Sequence, residues 1–583
     1  MLSLIIFTPI FAAFVVLLLP KNGKKLHQWT ALSATLLQLA FTIWAFASMQ
    51  FGAQAPKGID QLADFQLLEH RDWIDMQLGS LGQLSIDYVV GVDGLNSLMV
   101  VLSAIVLVIG AISSFEIKEK TQGYFALYLL LSSTIMGCFL ALDFFLFFLF
   151  FEFMLLPMYF LIGIWGGVRR EYASIKFFLY TLLGSVFILI IMIGLYNSVI
   201  DPVATGVHLG LADAPANMTT DLINQVQQQL EAGTLAGHAQ VHTFNMVYMM
   251  DVNNYIPDSI FALQSGSMLF GQHARLIAFL FLMIGFAIKL PAIPVHTWLP
   301  DAHVEAPTAI SVILAGLLLK IGAYGILRLA YGIFPEGGIH YAWWVGFFGV
   351  LSIVYAAFVA LGTHNLKKLI AYSSISHMGF VLLGVASVTS EGFNGAVYQL
   401  FSHGIISPML FLLAGVLYYR TKHLQIETYK GLSQVMPHYS GLVIVGFFAS
   451  LGLPGFSGFI AELFVFLGAF NSASVNQLIP RWMPIVSTLG LIIGAAYYLW
   501  TYQRMFLGKL SVKKEELKGK LFDLTAREWI MILPLAIITL VLGIFPHLLL
   551  DPISNSLEYF VELVLNVGKS NLEQIQSILE VKP

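Results

Sequence analysis

Charged side chains are scarce in this sequence. Lysine and arginine account for 29 of its 583 residues and aspartate and glutamate for 33, together 11% of the chain, whereas 58% of the residues are hydrophobic. A soluble protein is about 25% charged. Soluble multidomain enzymes, disordered proteins and nucleic-acid-binding proteins all need polar surface that this composition lacks. The composition therefore predicts a protein that crosses the lipid bilayer many times and has no nucleic-acid partner.

Cysteine is almost absent. Because Cys138 stands alone, the chain cannot form an internal disulfide bond or supply the thiolates of an iron–sulfur cluster, a thiolate zinc site or a c-type haem. The tripeptide Gly568–Ser570 lacks the first glycine of a phosphate-binding loop. His296 and His303 do not have a convincing metal-binding spacing. We therefore predict no metal and no cofactor in this chain.

Apolar stretches of roughly 20 residues, the length of a membrane-spanning helix, recur throughout the chain. Fourteen such spans are predicted, and the fold class is an all-α polytopic membrane protein. The spans are 2–20, 29–50, 93–113, 122–141, 143–165, 173–199, 274–299, 306–330, 340–363, 365–388, 393–419, 440–470, 482–506 and 528–549.

Three stretches are not predicted to span the membrane. Residues 51–92 form a loop with an amphipathic piece at Trp73–Met76, and residues 200–273 form a long polar insertion. The tail at 550–583 has apolar residues at helical spacing and is predicted to form an interfacial helix. These apolar residues are Leu557, Phe560, Val561 and Val564.

Two predicted helices contain a break. Pro291 and Pro294 follow Lys289, and Pro454 lies between glycines shortly before Glu462. Proline removes a backbone donor and clashes with the preceding turn. The breaks fall in the seventh and twelfth helices, five apart, as expected for two inverted five-helix repeats.

The chain is accordingly divided into four parts. They are the first three helices with an outer loop (1–121), the first repeat with the insertion at 200–273 (122–331), the second repeat (340–506), and a cytoplasmic loop, the last helix and a short outer tail (507–583). Of the 29 basic residues, nineteen, including Lys367, fall in one alternating set of loops, and seven, including Arg275 and Arg328, fall in the other. Cytoplasmic loops are enriched in lysine and arginine, so both termini are predicted on the non-cytoplasmic side.

Five charged residues interrupt the apolar stretches, namely Glu152, Lys176, Lys289, Lys320 and Glu462. A charge at the bilayer centre costs roughly 2.5–3.5 kcal/mol on insertion scales and usually faces a bundle interior or a water-filled path. Lys176 is close enough to a helix end for its side chain to reach the interface. Glu152, Lys289 and Lys320 lie near mid-helix, where a structural ion pair of Glu152 with Lys289 is the alternative to a functional role.

Histidines add groups that change protonation near neutral pH. His377 and His403 lie inside the tenth and eleventh helices, and His296 and His303 flank the second half of the seventh. A single buried histidine is usually a satisfied core residue, but titratable groups spread over several neighbouring helices favour a hydrated path. The predicted proton-transfer residues are Glu152, Lys289, Lys320, His377, His403 and Glu462, with Lys176, His296 and His303 as accessory candidates.

The stretch KLPAIPVHTWLPDAHVEAPT at Lys289–Thr308, continued by SVILAGLLLK to Lys320, resembles the antiporter-like membrane subunits of respiratory complex I. The resemblance covers the chain except residues 200–265 and about the last thirty. Within that family, Phe151–Phe160 and the acidic Glu462 distinguish this sequence from a sibling subunit that carries a lysine in place of Glu462.

The resemblance implies a proton-translocating subunit of NADH:quinone oxidoreductase in a bacterial inner membrane, and it implies the same six proton-transfer residues. NADH, FMN, iron–sulfur clusters and quinone would bind to partner subunits. The other membrane subunits, including two related antiporter-like chains, would be neighbours. Two alternatives stay open: a subunit of a multisubunit sodium/proton antiporter, and a non-pumping scaffold whose buried charges only fix helix packing.

Overall fold

The computed structural model describes residues 1–51, 56, 58–77, 83–513 and 515–581. Lys57, Lys514 and Lys582, three of the charges on which the predicted topology depends, lie outside these ranges. The long helices, together with the short half-helix α8, are α1 (Leu2–Leu18), α2 (Lys24–Ala47), α3 (Ser97–Glu116), α4 (Thr121–Leu140), α5 (Phe144–Trp165), α6 (Arg170–Tyr196), α7 (Ala274–Lys289), α8 (Trp298–Glu305), α9 (Thr308–Tyr331), α10 (Ala342–Leu361), α11 (Leu366–Ser387), α12 (Ser390–Thr421), α13 (Pro437–Ser450), α14 (Ser457–Val475), α15 (Trp482–Phe506), α16 (Ala526–Ile544) and α17 (His547–Val581).

The helical polytopic fold is confirmed. Within the described residues, 12 helices are long and apolar enough to cross a membrane. The first predicted span corresponds to α1, which has 17 residues. The seventh is divided into α7 with 16 residues and α8 with 8. The exact number of fourteen spans therefore stays a prediction.

The break in the seventh span is confirmed. The chain leaves α7 after Lys289 and becomes helical again at Trp298. The Trp298 indole donates to the Ile288 carbonyl at 2.8 Å, and the Ile293 N–H donates to Ser352 Oγ at 3.2 Å. Backbone groups that a break frees inside a membrane need such partners.

The break in the twelfth span is also confirmed. It separates α13, which ends at Ser450, from α14, which begins at Ser457. Gly452 and Gly455 lie in the break with φ of 72° and 98°. Glycine adopts this left-handed conformation without the steric cost that other residues incur. The two interrupted spans thus occupy matching places in the predicted repeats.

A β-hairpin lies where the sequence predicts only a loop. Strand β1 (Gln66–Gln77) pairs antiparallel with β2 (Gln83–Val92). The amphipathic piece Trp73–Met76 belongs to β1 and is therefore extended. The buried Ile86 lies opposite Ile74, and this alternation of buried and exposed positions suits a strand with one covered face.

As predicted, residues 200–273 contain no helix that is long and apolar enough to span a membrane. The insertion contains the helices Pro202–His208, Thr220–Glu231 and Met246–Met250. Their small apolar core consists of Ile200, Val226, Leu230, Leu235 and Ala239.

The tail is helical, as predicted, and its helix is longer than expected, while its interfacial position stays a prediction. Helix α17 has 35 residues, and it buries the four predicted apolar residues. Its Tyr559 hydroxyl donates to Asp60 at 3.0 Å. At the other terminus, the Leu2 N–H donates to Glu69 of β1 at 2.7 Å. Both ends of the chain therefore lie at the hairpin end of the bundle, and the side of the membrane that they face stays a prediction.

Candidate functional site

Lys320 and His403 form a direct contact in the core of the helix bundle. Lys320 Nζ lies 2.7 Å from His403 Nδ1 and donates to the Ala315 carbonyl at 2.5 Å. Both side chains are buried. Helix α9 is wound as a π-helix at Leu314–Leu318, which ends two residues before Lys320. Such π segments are rare and are frequent at functional sites.

His377 continues the contact toward the broken twelfth span. Its ring centroid lies 5.6 Å from that of His403, and its Nδ1 lies 3.1 Å from Gln399 Nε2 and 3.8 Å from Glu462 Oε1. Its Nε2 lies 3.2 Å from Ser450 Oγ at the end of α13. His377 therefore stands between His403 and Glu462, with a polar partner at each ring nitrogen.

Glu462 lies at the break between α13 and α14. It is 5% exposed, and a Cβ atom at Gly452 would overlap its Oε2 atom. The hydroxyl network beside it extends from Ser450 to Tyr498 at 2.6 Å and from Tyr498 to Ser373 at 2.9 Å. The carboxylate is thus enclosed by the broken helix and adjoins a continuous set of hydroxyl groups.

A small polar cavity adjoins the two histidines. Its volume is about 10 Å³, and it is lined by His377, Gln399, Ser402, His403, Ile406, Ala449, Ser450 and Gly458. This is close to the space that one water molecule needs. His403 Nε2 has no hydrogen-bond partner among the described residues. A water molecule in the cavity would link the two imidazoles.

Lys289 and Glu152 do not form the ion pair that was the structural alternative. No salt bridge within 4 Å joins them in the described part of the chain, and Glu152 Oε1 has no hydrogen-bond partner there. Lys289 Nζ instead lies 3.4 Å from the ring centroid of Phe151 and 3.3 Å from the Phe151 carbonyl oxygen. A cation over an aromatic face is attracted by the ring quadrupole, and the C-terminal end of α7 also favours a cation.

Of the accessory candidates, Lys176 and His296 have partners of their own. Lys176 Nζ forms an ion pair with Asp301 at 2.7 Å. The ring of His296 lies 5.7 Å from that of Tyr355 and 6.4 Å from that of Tyr372. In the part of the chain that the structure describes, neither side chain forms a hydrogen bond, ion pair or ring contact with Lys320, His403, His377 or Glu462.

His303 lies close to that series. It is fully buried and stacks on Phe411 with ring centroids 4.3 Å apart. Neither ring nitrogen has a hydrogen-bond partner among the described residues. Lys320 and Lys367 are near enough to act on it electrostatically.

Comparison with known protein families identifies the family of this chain. A family model described as "NADH:quinone oxidoreductase/Mrp antiporter, TM" matches residues 141–207 and 237–488. The chain belongs to this family. The matched region contains all six predicted proton-transfer residues, both helix breaks and the contact between Lys320 and His403. The resemblance to antiporter-like membrane subunits is therefore confirmed.

Full-length relatives within the family support the same assignment. The chain is 36% identical over 566 residues to NADH-quinone oxidoreductase subunit M of Rhodobacter capsulatus, covering 96% of each chain. It is 35% identical to the subunit of the same name from Rickettsia conorii, covering 96% of this chain and 98% of the relative.

Solved structures show the same fold. A chain of respiratory complex I from Thermus thermophilus with bound NADH is 27% identical with a TM-score of 0.73, covering 97% of this chain and all of that one. A chain of the Mrp complex from Dietzia sp. has a TM-score of 0.71 at 20% identity and covers 99% of both chains. The second likeness shows the fold alone.

Several buried polar residues were missed or misassigned from the sequence. Arg275, Arg328 and Lys367 were counted among the loop charges, but all three are buried. Arg328 lies two residues before the end of the predicted span 306–330, and this position indicated that its side chain could be buried. Gln399 precedes His403 by one helical turn, and Ser450 directly precedes the predicted break, so their spacing also placed them near the site.

Proposed function

We propose that this chain is a proton-translocating membrane subunit of an NADH:quinone oxidoreductase. The observation that carries the proposal is the series of close titratable groups from Lys320 through His403 and His377 to Glu462 inside the bundle. Such charges are costly in a membrane and typically belong to an ion path. The relatives named above as NADH-quinone oxidoreductase subunit M support the assignment to this complex.

The geometry suggests a sequence of proton transfers. Lys320 gives a proton to Nδ1 of His403, whose other nitrogen releases a proton to a water molecule in the adjoining cavity. That water protonates His377, which passes a proton from its Nδ1 toward Glu462. Each imidazole can accept at one nitrogen while donating at the other. Glu462 at the helix break would exchange the proton with the outer side.

Lys289 and Glu152 would control the entry of protons into the series that begins at Lys320. The two groups are close enough to interact electrostatically, and the Lys289 ammonium lies over the Phe151 ring. Moving a carboxylate toward a buried ammonium changes how tightly the ammonium holds its proton. Carrying one charge against the membrane potential costs about 2.3 kcal/mol per 100 mV, which the rearrangement of one buried pair can supply.

The remaining parts of the enzyme would lie in other subunits. The chain would bind no redox cofactor itself, while NADH, FMN, iron–sulfur clusters and quinone would be held by partners. Its membrane neighbours would include two related antiporter-like chains in a bacterial inner membrane, with both termini of this chain on the outer side.

Substitutions at Lys289 test the loading step in the assembled complex. Lys289→Ala removes the charge, and Lys289→Arg keeps a cation that does not release its proton. We expect both to lower the number of protons pumped per NADH in proteoliposomes, while the exposed control Lys569→Ala leaves it unchanged. Unchanged stoichiometry in both Lys289 variants would refute the loading role.

Glu462→Gln tests the exit step. The amide keeps the size of the side chain but cannot cycle a proton, so we expect strongly reduced pumping. Undiminished pumping would remove Glu462 from the path. The proteins that copurify with this chain separate the assignments: flavin and iron–sulfur subunits support the oxidoreductase, and several small membrane subunits alone support a sodium/proton antiporter.

A further inference from the structure

The β-hairpin carries a cluster of potential metal ligands away from the buried series. His70 and Asp72 of β1 and Asp87 of β2 each offer one ligand atom, and these atoms lie within 4.8 Å of one another. His70 Nε2 lies 3.2 Å from Asp87 Oδ2, and Ser85 donates to Asp87 Oδ1 at 3.2 Å. An imidazole and two carboxylates therefore converge at one point of the hairpin.

The register of the hairpin places two of these carboxylates directly opposite each other. Asp72 and Asp87 are paired residues of β1 and β2. Like charges directly opposite in a sheet are destabilising. Arg71 lies on the other face, since neighbouring strand residues alternate, and within the described residues no lysine or arginine forms an ion pair with Asp72 or Asp87. Among the described residues, the cationic partner of the pair is His70, whose Nε2 forms an ion pair with Asp87 when the imidazole is protonated.

A buried carboxylate lies behind the cluster and adds to the negative charge. Asp201 acts electrostatically on both His70 and Asp87. Its Oδ1 accepts the N–H groups of Val203 and Ala204 at 2.8 Å each. Burial, with the charge of Asp87 adding to it, raises the pKa of Asp201 to about 6. The cluster therefore has a third carboxylate within electrostatic reach.

We propose that His70, Asp72 and Asp87 bind a Zn²⁺ ion that clamps the two strands of the hairpin together. Zn²⁺ accepts imidazole nitrogen and carboxylate oxygen at about 2.0–2.2 Å, which places tetrahedral ligand atoms about 3.4 Å apart. The three ligand atoms lie within 4.8 Å of one another, and His70 and Asp87 are 3.2 Å apart in a hydrogen bond that the metal would replace. Imidazole favours Zn²⁺ over Ca²⁺ and Mg²⁺, which prefer oxygen ligands. Water would complete the coordination.

The test is Zn²⁺ binding by the purified full chain in nanodiscs after treatment with a chelator. Competition with a chromophoric chelator measures affinity and stoichiometry. The double variant His70→Gln/Asp72→Asn is expected to lose one bound equivalent, with affinity reduced at least about 100-fold. The matched control His238→Gln/Asp213→Asn changes the same residue types at exposed positions of the insertion and should bind like the wild type. Equal stoichiometry in the wild type and the hairpin variant would overturn the proposal.

Zn K-edge X-ray absorption on the wild-type chain gives an answer that does not depend on the folding of a variant. With one equivalent of Zn²⁺ we expect one imidazole and otherwise oxygen ligands at about 2.0–2.2 Å. A shell with several imidazoles or with sulfur would contradict the assignment.

Discussion

Replacing Glu336 with glutamine tests how the insertion and the terminal helix are fastened to the helix bundle. Arg275 Nε lies 2.6 Å from Glu336 Oε1, and both side chains are fully buried. Arg275 also donates to the carbonyls of Phe261 at 3.1 Å and Ile333 at 3.0 Å. Asn571 of α17 donates to Glu336 Oε2 at 3.0 Å. One ion pair thus joins the insertion, the start of α7, the segment after α9 and the terminal helix.

The expected cost follows from the burial of this pair. Glu336→Gln keeps the size of the side chain but leaves the guanidinium buried without a counter-charge. Removing one partner of a buried pair costs about 3–5 kcal/mol, which corresponds to an increase in local opening of about 10²- to 10⁴-fold. We expect the increase in hydrogen exchange at residues 255–263 and 566–575, where the contacts of the pair are made.

A double variant separates lost charge balance from lost packing. Arg275→Met/Glu336→Leu removes both charges, so the uncompensated ion disappears and exchange should fall below that of Glu336→Gln. The control Glu427→Gln breaks an exposed pair with Lys513 and should leave exchange at both segments unchanged. Unaltered exchange in Glu336→Gln, or faster exchange in the double variant than in the single one, would refute the reasoning.

Two glycine substitutions test the close packing at the helix breaks. Gly452→Ala should displace Glu462 and lower both proton pumping and thermal stability, because φ is 72° and the new Cβ would overlap the carboxylate. Gly322→Val should separate α9 from the end of α7 and lower the thermal transition, since even a Cβ would lie 2.7 Å from the Leu290 nitrogen.

Asp523→Ala removes the carboxylate that accepts hydrogen bonds from the first amides of α13. These amides should then exchange faster with solvent. The expected loss of stability is about 0.5–2 kcal/mol. Partial burial raises the pKa of Asp523, but the hydrogen bonds that its carboxylate accepts lower the pKa further and hold it below its usual value. The donors are the His438, Tyr439 and Leu524 amides and the His438 ring. The stabilisation is therefore present above pH 3.8 and is lost as the pH falls through the lower folded pKa. Protection of these amides that does not depend on pH would contradict this account.

Much of the fold could be predicted because membrane helices leave strong local signals. Apolar length identified the spans, and Pro291, Pro294 and Pro454 identified the breaks that the structure confirms. The hairpin was missed because strand pairing joins residues far apart in the chain and its apolar pattern is short. Arg275 and Arg328 were misassigned because charges near the ends of a span look like loop charges until their partners are known.

The sequence by itself determined which residues are costly to bury, where helices must break and which family the chain resembles, because these properties depend on residue type and local spacing. Only the tertiary structure decided which of those residues meet. It brought Lys320 to His403, 83 positions away, placed Phe151 beside Lys289 and joined Asp72 to Asp87 across the hairpin. Such contacts depend on how helices and strands pack against one another, and no local sequence pattern encodes that packing.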